Sequence, residues 1–163
     1  LYIIDFGLSI DIKKLKKKNN YEDYFLKYIN HNYWCIDIII MNYVINMKKI
    51  IKNKDEAKKI VKMFMKTNFF KNCSNNFKKI YSDECLKYIS LFIDKPIPYV
   101  KKNLLKNWKT WDIFSLNILF IEFQNLFNEK NKKIIEILFE SIHPNPKKRL
   151  NYDEIINKLI KIN

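Results

Sequence analysis

Apolar and polar positions alternate along this chain with a changing rhythm, and the rhythm predicts its elements. Leu1 to Ile4 is a short, continuous apolar run of strand type. Residues 8–33 are polar and tyrosine-rich with no sustained period, and read as a long loop. From Cys35 to about Ile51 the apolar residues take helical spacing. Asp55 to Lys66 and Phe77 to Ile93 show the 3.6-residue stripe of amphipathic helices. Pro96 and Pro98 interrupt the chain before another helix, about Tyr99 to Trp108. Ile113 to Phe127 is apolar on nearly every face, which predicts a helix buried on all sides at the centre of a domain. Lys132 to Ile142 is a shorter helix, stopped by His143-Pro144-Asn145-Pro146, because a residue before proline avoids the helical region. Asn151, with Glu154 three residues on, predicts a capping box that opens the last helix. Ile155, Ile156, Leu159, Ile160 and Ile162 form its stripe. The expected fold class is mainly α, with one short N-terminal strand, one long loop and one central buried helix.

Composition sharpens this picture in three places. The 163 residues suffice for one domain with a sizeable core, and 48% hydrophobic residues suit a folded chain. The net charge of +14 comes almost wholly from lysine, since Arg149 is the one arginine among 31 basic residues and Gly7 the one glycine. Abundant Ile, Asn and Lys share AT-rich codons, so coding bias accounts for the charge. The lysines are spread along the chain, so a nucleic-acid partner is not expected; their densest run, Lys13 to Lys18, reads as a solvated loop. Cys35, Cys73 and Cys85 are odd in number and include no CxxC pair, which fits a reducing intracellular setting without disulfide or zinc. No stretch is long and apolar enough to span a bilayer, so no membrane partner is expected. The chain opens on Leu1 in mid-strand, which reads as a piece of a longer polypeptide.

Three segments carry candidate chemistry. Leu1-Tyr2-Ile3-Ile4-Asp5-Phe6-Gly7-Leu8-Ser9 places an aspartate at a strand end, where a carboxylate can hold Mg²⁺ against nucleotide phosphates. Gly7 beside it lets the backbone turn without a Cβ penalty. Trp111-Asp112-Ile113-Phe114-Ser115-Leu116-Asn117 opens the most apolar helix with a carboxylate, which the helix dipole favours. Ile142-His143-Pro144-Asn145-Pro146-Lys147-Lys148-Arg149-Leu150 holds the single arginine, whose planar fork suits a buried carboxylate as lysine does not.

Together these segments resemble the eukaryotic-type protein kinase domain, from its DFG motif to its last helix, and more narrowly the divergent serine/threonine kinases of large DNA viruses with AT-rich genomes. The resemblance implies a kinase large-lobe (C-terminal) fragment covering residues 1–163, with an activation segment at 8–33. Asp5 would hold Mg²⁺, and Asp5, Phe6 and Gly7 would contribute to the ATP site. Asp112 would brace the catalytic loop from the central helix, with Asn117 in place of the family's glycine. Arg149 would pair with the carboxylate that ends the activation segment. For that partner the resemblance offers Asp37, in Trp34-Cys35-Ile36-Asp37-Ile38, without the Ala and Pro of the family motif. A rival alignment makes Asp37 the central-helix aspartate, since a long apolar helix follows it; Ser115 and Leu116 favour Asp112 instead. The 75 positions between Asp37 and Asp112 imply a helical insertion at about 53–108.

No glycine-rich loop, ATP-site lysine or HRD-type catalytic loop can be found, so no catalytic base lies in this chain and one is expected upstream of Leu1. The implied function is transfer of the ATP γ-phosphoryl group to Ser/Thr hydroxyls of a protein substrate by the complete parent. ATP and Mg²⁺ are its cofactors, and the rest of the kinase domain, N-lobe and catalytic loop, is the fragment's partner. The fragment itself is expected to be inactive, and its setting intracellular, in the cytoplasm or, if viral, the host cytoplasm or virion. The rival readings are a pseudokinase-type interaction module and a basic helical nucleic-acid-binding protein.

Overall fold

Helix α1, Ile36–Asn46, forms because burial overrides local preference. Its sequence IDIIIMNYVIN is rich in β-branched isoleucine, a middling helix former. Nine of its 11 residues are buried, and Ile36, Ile39, Ile40, Met41 and Val44 are fully enclosed. The structure, a computed structural model, describes residues 21, 33–126 and 132–162, with side chains in the helix ending at 126 described as far as 123. The chain is mainly α-helical. The strand expected at Leu1 to Ile4 lies outside the described residues, as do the DFG segment and all of the loop 8–33 except Tyr21 and Tyr33.

After α1 the backbone turns through Lys48 in the left-handed region at φ 48°, where glycine would be strain-free. Asp94 does the same at φ 55°. These two turns bring Ile51 beside Ile93 in an isolated parallel bridge, with Asp94 N donating to Ile51 O at 2.9 Å. Helix α2, Lys54–Phe64, starts where Asn53 Oδ1 accepts from the amides of Asp55 and Glu56, and those acidic residues favour the helix N-terminus. Ala57, Ile60, Val61 and Phe64 are its buried face, at the i, i+3, i+4, i+7 spacing of one stripe.

A single turn, α3 at Asn68–Lys71, buries Phe69 and Phe70. Helix α4, Asn75–Ile89, is capped by Ser74 Oγ and buries Tyr81, Cys85, Tyr88 and Ile89. Helix α5, Ile97–Leu104, begins at the Pro96–Pro98 break, where a missing proline N–H costs nothing, and runs into a 3₁₀ turn at Leu105–Thr110. Residues 53–108, expected as an insertion, build one core with the rest. Ile60, Phe64, Phe70, Tyr81, Cys85, Ile89, Val100 and Leu104 share it with α1 and with Trp111, Phe114, Ile118 and Ile121.

Helix α6, Trp111–Leu126, departs from expectation. It is not buried on all sides. Trp111, Phe114, Asn117, Ile118 and Ile121 face the core, whereas Leu116, Leu119, Phe120 and Phe123 are 44–56% exposed. The buried central helix is α1. Helix α7, Lys132–Ser141, buries Ile137, Leu138 and Ser141 beside α6. Helix α8, Tyr152–Ile160, opens on the expected capping box: Glu154 N donates to Asn151 Oδ1 at 3.0 Å, and Asn151 N to Glu154 Oε2 at 2.7 Å. Among the described residues no helix is long and apolar enough to cross a membrane.

Candidate functional site

Asp37 is the second residue of α1 and is fully buried. A carboxylate in that position needs donors, because an unpaired charge in a low-dielectric interior is strongly destabilising. Arg149 supplies the charge. Its Nη2 lies 2.6 Å from Asp37 Oδ2, and both side chains are at 0% exposure. Tyr88 on α4 donates its hydroxyl to Asp37 Oδ1 at 2.8 Å. Asn107, in the 3₁₀ turn, approaches the same oxygen through Nδ2 at 3.4 Å.

Arg149 is satisfied from the other side by the chain around it. Nε donates to His143 O at 2.7 Å, and Nη2 also donates to Pro144 O at 3.0 Å. Nη1 donates to Thr110 Oγ1 at 2.9 Å, and Thr110 in turn donates to Asn107 O. The guanidinium carbon lies 5.1 Å from the Phe114 ring centroid, within cation–π range. The Pro144 and Pro146 segment thus turns its carbonyls inward onto one fork, an arrangement that lysine, with a single ammonium, cannot match. Two residues are brought together across 112 positions of chain, joining α1, α4, the turn before α6 and the segment before α8.

The electrostatics make this node a clamp and remove it from acid–base chemistry. Burial is the largest influence on the Arg149 pKa and would depress it, but the Asp37 carboxylate foremost, together with the neighbouring Cys35 and Tyr81, outweighs burial and raises it. Burial, with Asp37 adding to it, pushes the neighbouring Cys35 thiol up to about 12. Burial and then Asp37 likewise raise Tyr88. Cys35 and Tyr88 therefore stay protonated at neutral pH, and neither is a nucleophile or base there. His143 is lowered, by burial first and by the Lys148 charge second, and its Nδ1 accepts from Asn145 N at 2.9 Å. That places it as a turn-stabilising residue.

The other sequence-predicted residues fall elsewhere. Asp112 sits in the first turn of α6 with its side chain exposed, and makes no ion pair or hydrogen bond among the described residues. Asp37 stands in the first turn of α1, two residues after the extended Cys35 that precedes the helix. Asp5, Phe6 and Gly7 lie outside the described residues, so the structure offers no geometry for Mg²⁺ or ATP. Among the described residues no group of three or more His, Cys, Asp or Glu could hold a metal ion. Sequence reasoning missed Tyr88, Asn107 and Thr110. Tyr88 lies on the apolar stripe of α4, seven residues after Tyr81, and so reads as core; Asn107 and Thr110 carry no periodic signal. Comparison with models of protein families, with curated proteins and with solved structures found no match.

Proposed function

We propose that this chain is the C-terminal part of a protein kinase domain, whose complete parent transfers the γ-phosphoryl group of ATP to Ser/Thr hydroxyls of a protein substrate. The observation that carries the reading is the buried Arg149–Asp37 pair at 2.6 Å. The chain's one arginine, in the segment that resembles the family's arginine segment, meets a carboxylate more than a hundred residues away. The exposed apolar stripe on α6 also supports it, because a lobe fragment leaves uncovered the surface that the rest of its domain would occupy.

In this reading Asp5 would hold Mg²⁺, which when bound neutralises charge on the phosphates during transfer. Residues 8–33 would present the protein substrate, and the catalytic base would come from upstream of Leu1. The Asp37–Arg149 clamp would fix the substrate platform to the segment before the last helix. It positions, and touches no reacting atom. The test is transfer of labelled phosphate from ATP to a generic protein substrate by the parent polypeptide. Transfer by the parent, loss of it in Asp5→Asn, and none by residues 1–163 alone is the expected pattern. Robust transfer by residues 1–163, or undiminished transfer by the Asp5→Asn parent, overturns the reading. A parent that binds protein partners but transfers no phosphate is a pseudokinase.

A further inference from the structure

Between the α3–α4 connection and the α6–α7 pair lies a cleft of about 860 Å³. That is within the several-hundred-Å³ range of pockets that enclose a small molecule or a single side chain. Four aromatic rings line it: Tyr33, Phe69, Phe77 and Phe139. Phe77 and Phe139 meet edge to face, 4.9 Å between centroids, and form one wall. Asn68, Asn72, Ser74 and Cys73 add neutral polar groups at the rim, and behind it Lys71 Nζ donates to Asn68 Oδ1 at 2.8 Å and Lys78 Nζ to Lys71 O at 3.1 Å, so both ammonium groups are already held by other acceptors.

The charge on this lining is unlike that of the molecule. The chain carries 31 Lys and Arg against 17 Asp and Glu. Yet among the described lining residues the single charged one is Glu122. It is half-buried on α6 beside Tyr33, whose hydroxyl pKa is raised by burial first and by the Glu122 charge second. The backbone of Tyr33 is itself pinned to α6, its carbonyl accepting from Ser115 Oγ at 2.7 Å. A single carboxylate at the edge of several aromatic faces is the chemistry that favours an organic cation: the rings attract positive charge through their quadrupoles, and the carboxylate adds direct attraction. An anion or a purely apolar group would instead leave Glu122 partly desolvated without compensation.

We propose that this cleft is a binding site for an organic cation, an ammonium or guanidinium head group, seated against Phe77 and Phe139 and paired with Glu122. The head group belongs either to a free amine or to a basic side chain of a protein. The inference uses no residue of the kinase reading's ATP or Mg²⁺ site, and shares with that reading only Tyr33, the last residue of the segment 8–33.

The test uses residues 1–163 at low salt and follows the aromatic NMR signals of Phe77 and Phe139. Three probes are titrated: choline, its neutral isostere 3,3-dimethylbutanol, and a short arginine-containing peptide. Saturable shifts are expected with choline or the peptide at concentrations up to about 20 mM, with the isostere weaker on the order of tenfold. Tighter binding of the peptide assigns the site to a protein side chain, and tighter binding of choline to a free amine. Glu122→Gln, which keeps shape and loses charge, is expected to weaken the cation by about tenfold and leave the isostere unchanged. Tyr33→Phe is a second variant, expected to weaken the cation less. Equal binding of choline and isostere, no saturable cation binding, or unchanged affinity in a folded Glu122→Gln protein overturns the proposal.

Discussion

Helices α1 and α6 are the two most apolar segments of this protein, and they end in opposite situations. Helix α1 packs against α2 and α5 and is bonded to α4 through Tyr88, and even its aspartate is inside. Helix α6 buries one stripe and exposes another made of leucine and phenylalanine. A small difference in hydrophobicity, in favour of α1, accompanies a large difference in burial. What separates them is the charge each carries at its N-terminal turn. Asp37 has a partner reserved for it in Arg149, whereas Asp112 stays at the surface. A buried carboxylate marks a helix end that is committed to the interior, since it is tolerated there only when paired.

The comparison breaks most sharply at the clamp. Arg149→Ala leaves Asp37 buried without its countercharge, and is expected to cost about 3–5 kcal/mol. Chemical denaturation reads this as a large fall in midpoint, with Arg149→Lys in between. A midpoint equal to that of the parent sequence would show that Asp37 is not committed to the interior. Next comes packing itself. Ile40→Ala on α1 removes a fully buried side chain and is expected to cost about 2–5 kcal/mol. Leu119→Ala on α6 is expected to stay within about 0.5 kcal/mol. Equal losses would mean that the outer stripe of α6 is covered in solution.

A smaller effect belongs to Tyr88→Phe. It removes one donor to a charged acceptor, worth about 1.5–3 kcal/mol, and a double-mutant cycle with Arg149 is expected to show coupling. The smallest effect is a pH dependence. The His143 pKa is held below its ordinary 6.5 in the folded state, by burial and then by Lys148, so the unfolded chain binds more protons between the two values. Stability from this group is accordingly full above pH 6.5 and falls as pH drops through the folded value. Glu84, 3.6 Å from His143 Nε2, opposes the shift and keeps it modest. His143→Asn is expected to flatten the melting temperature against pH just below 6.5, and an unchanged slope would remove His143 as its source.

Much of this was legible in the sequence, for reasons that differ by element. Helices α2, α4 and α8 announce themselves through a 3.6-residue stripe, and α8 also through the Asn151–Glu154 box at its start, whereas the caps Asn53 and Ser74 emerge only from the structure. Arg149 and Asp37 were paired at the level of sequence through the kinase resemblance alone, which sets the one arginine, three residues after Pro146, against the carboxylate of the Trp34 to Ile38 segment. The burial ranking of α1 and α6 was not legible. When nearly every position is apolar, no period remains to say which face turns inward, and the answer depends on neighbours far along the chain. Tyr88 and Thr110 were hidden for a related reason: a hydroxyl's partner is fixed by tertiary placement, and local pattern does not encode it.

The clamp also has a consequence for the order in which the chain acquires its structure during synthesis. Asp37 and Arg149 are 112 positions apart, so at a ribosomal rate of roughly 5–20 residues per second the carboxylate is made about 6–20 seconds before its partner. Through that interval α1 can collapse with α2 and α4, but it would have to do so around an aspartate with no cation to meet it. The emerging protein therefore keeps the first turn of α1 open to water until residue 149 leaves the ribosome. Completion of the interior is thereby tied to completion of the C-terminal segment, and a nascent chain stalled before residue 149 is the form most exposed to proteolysis.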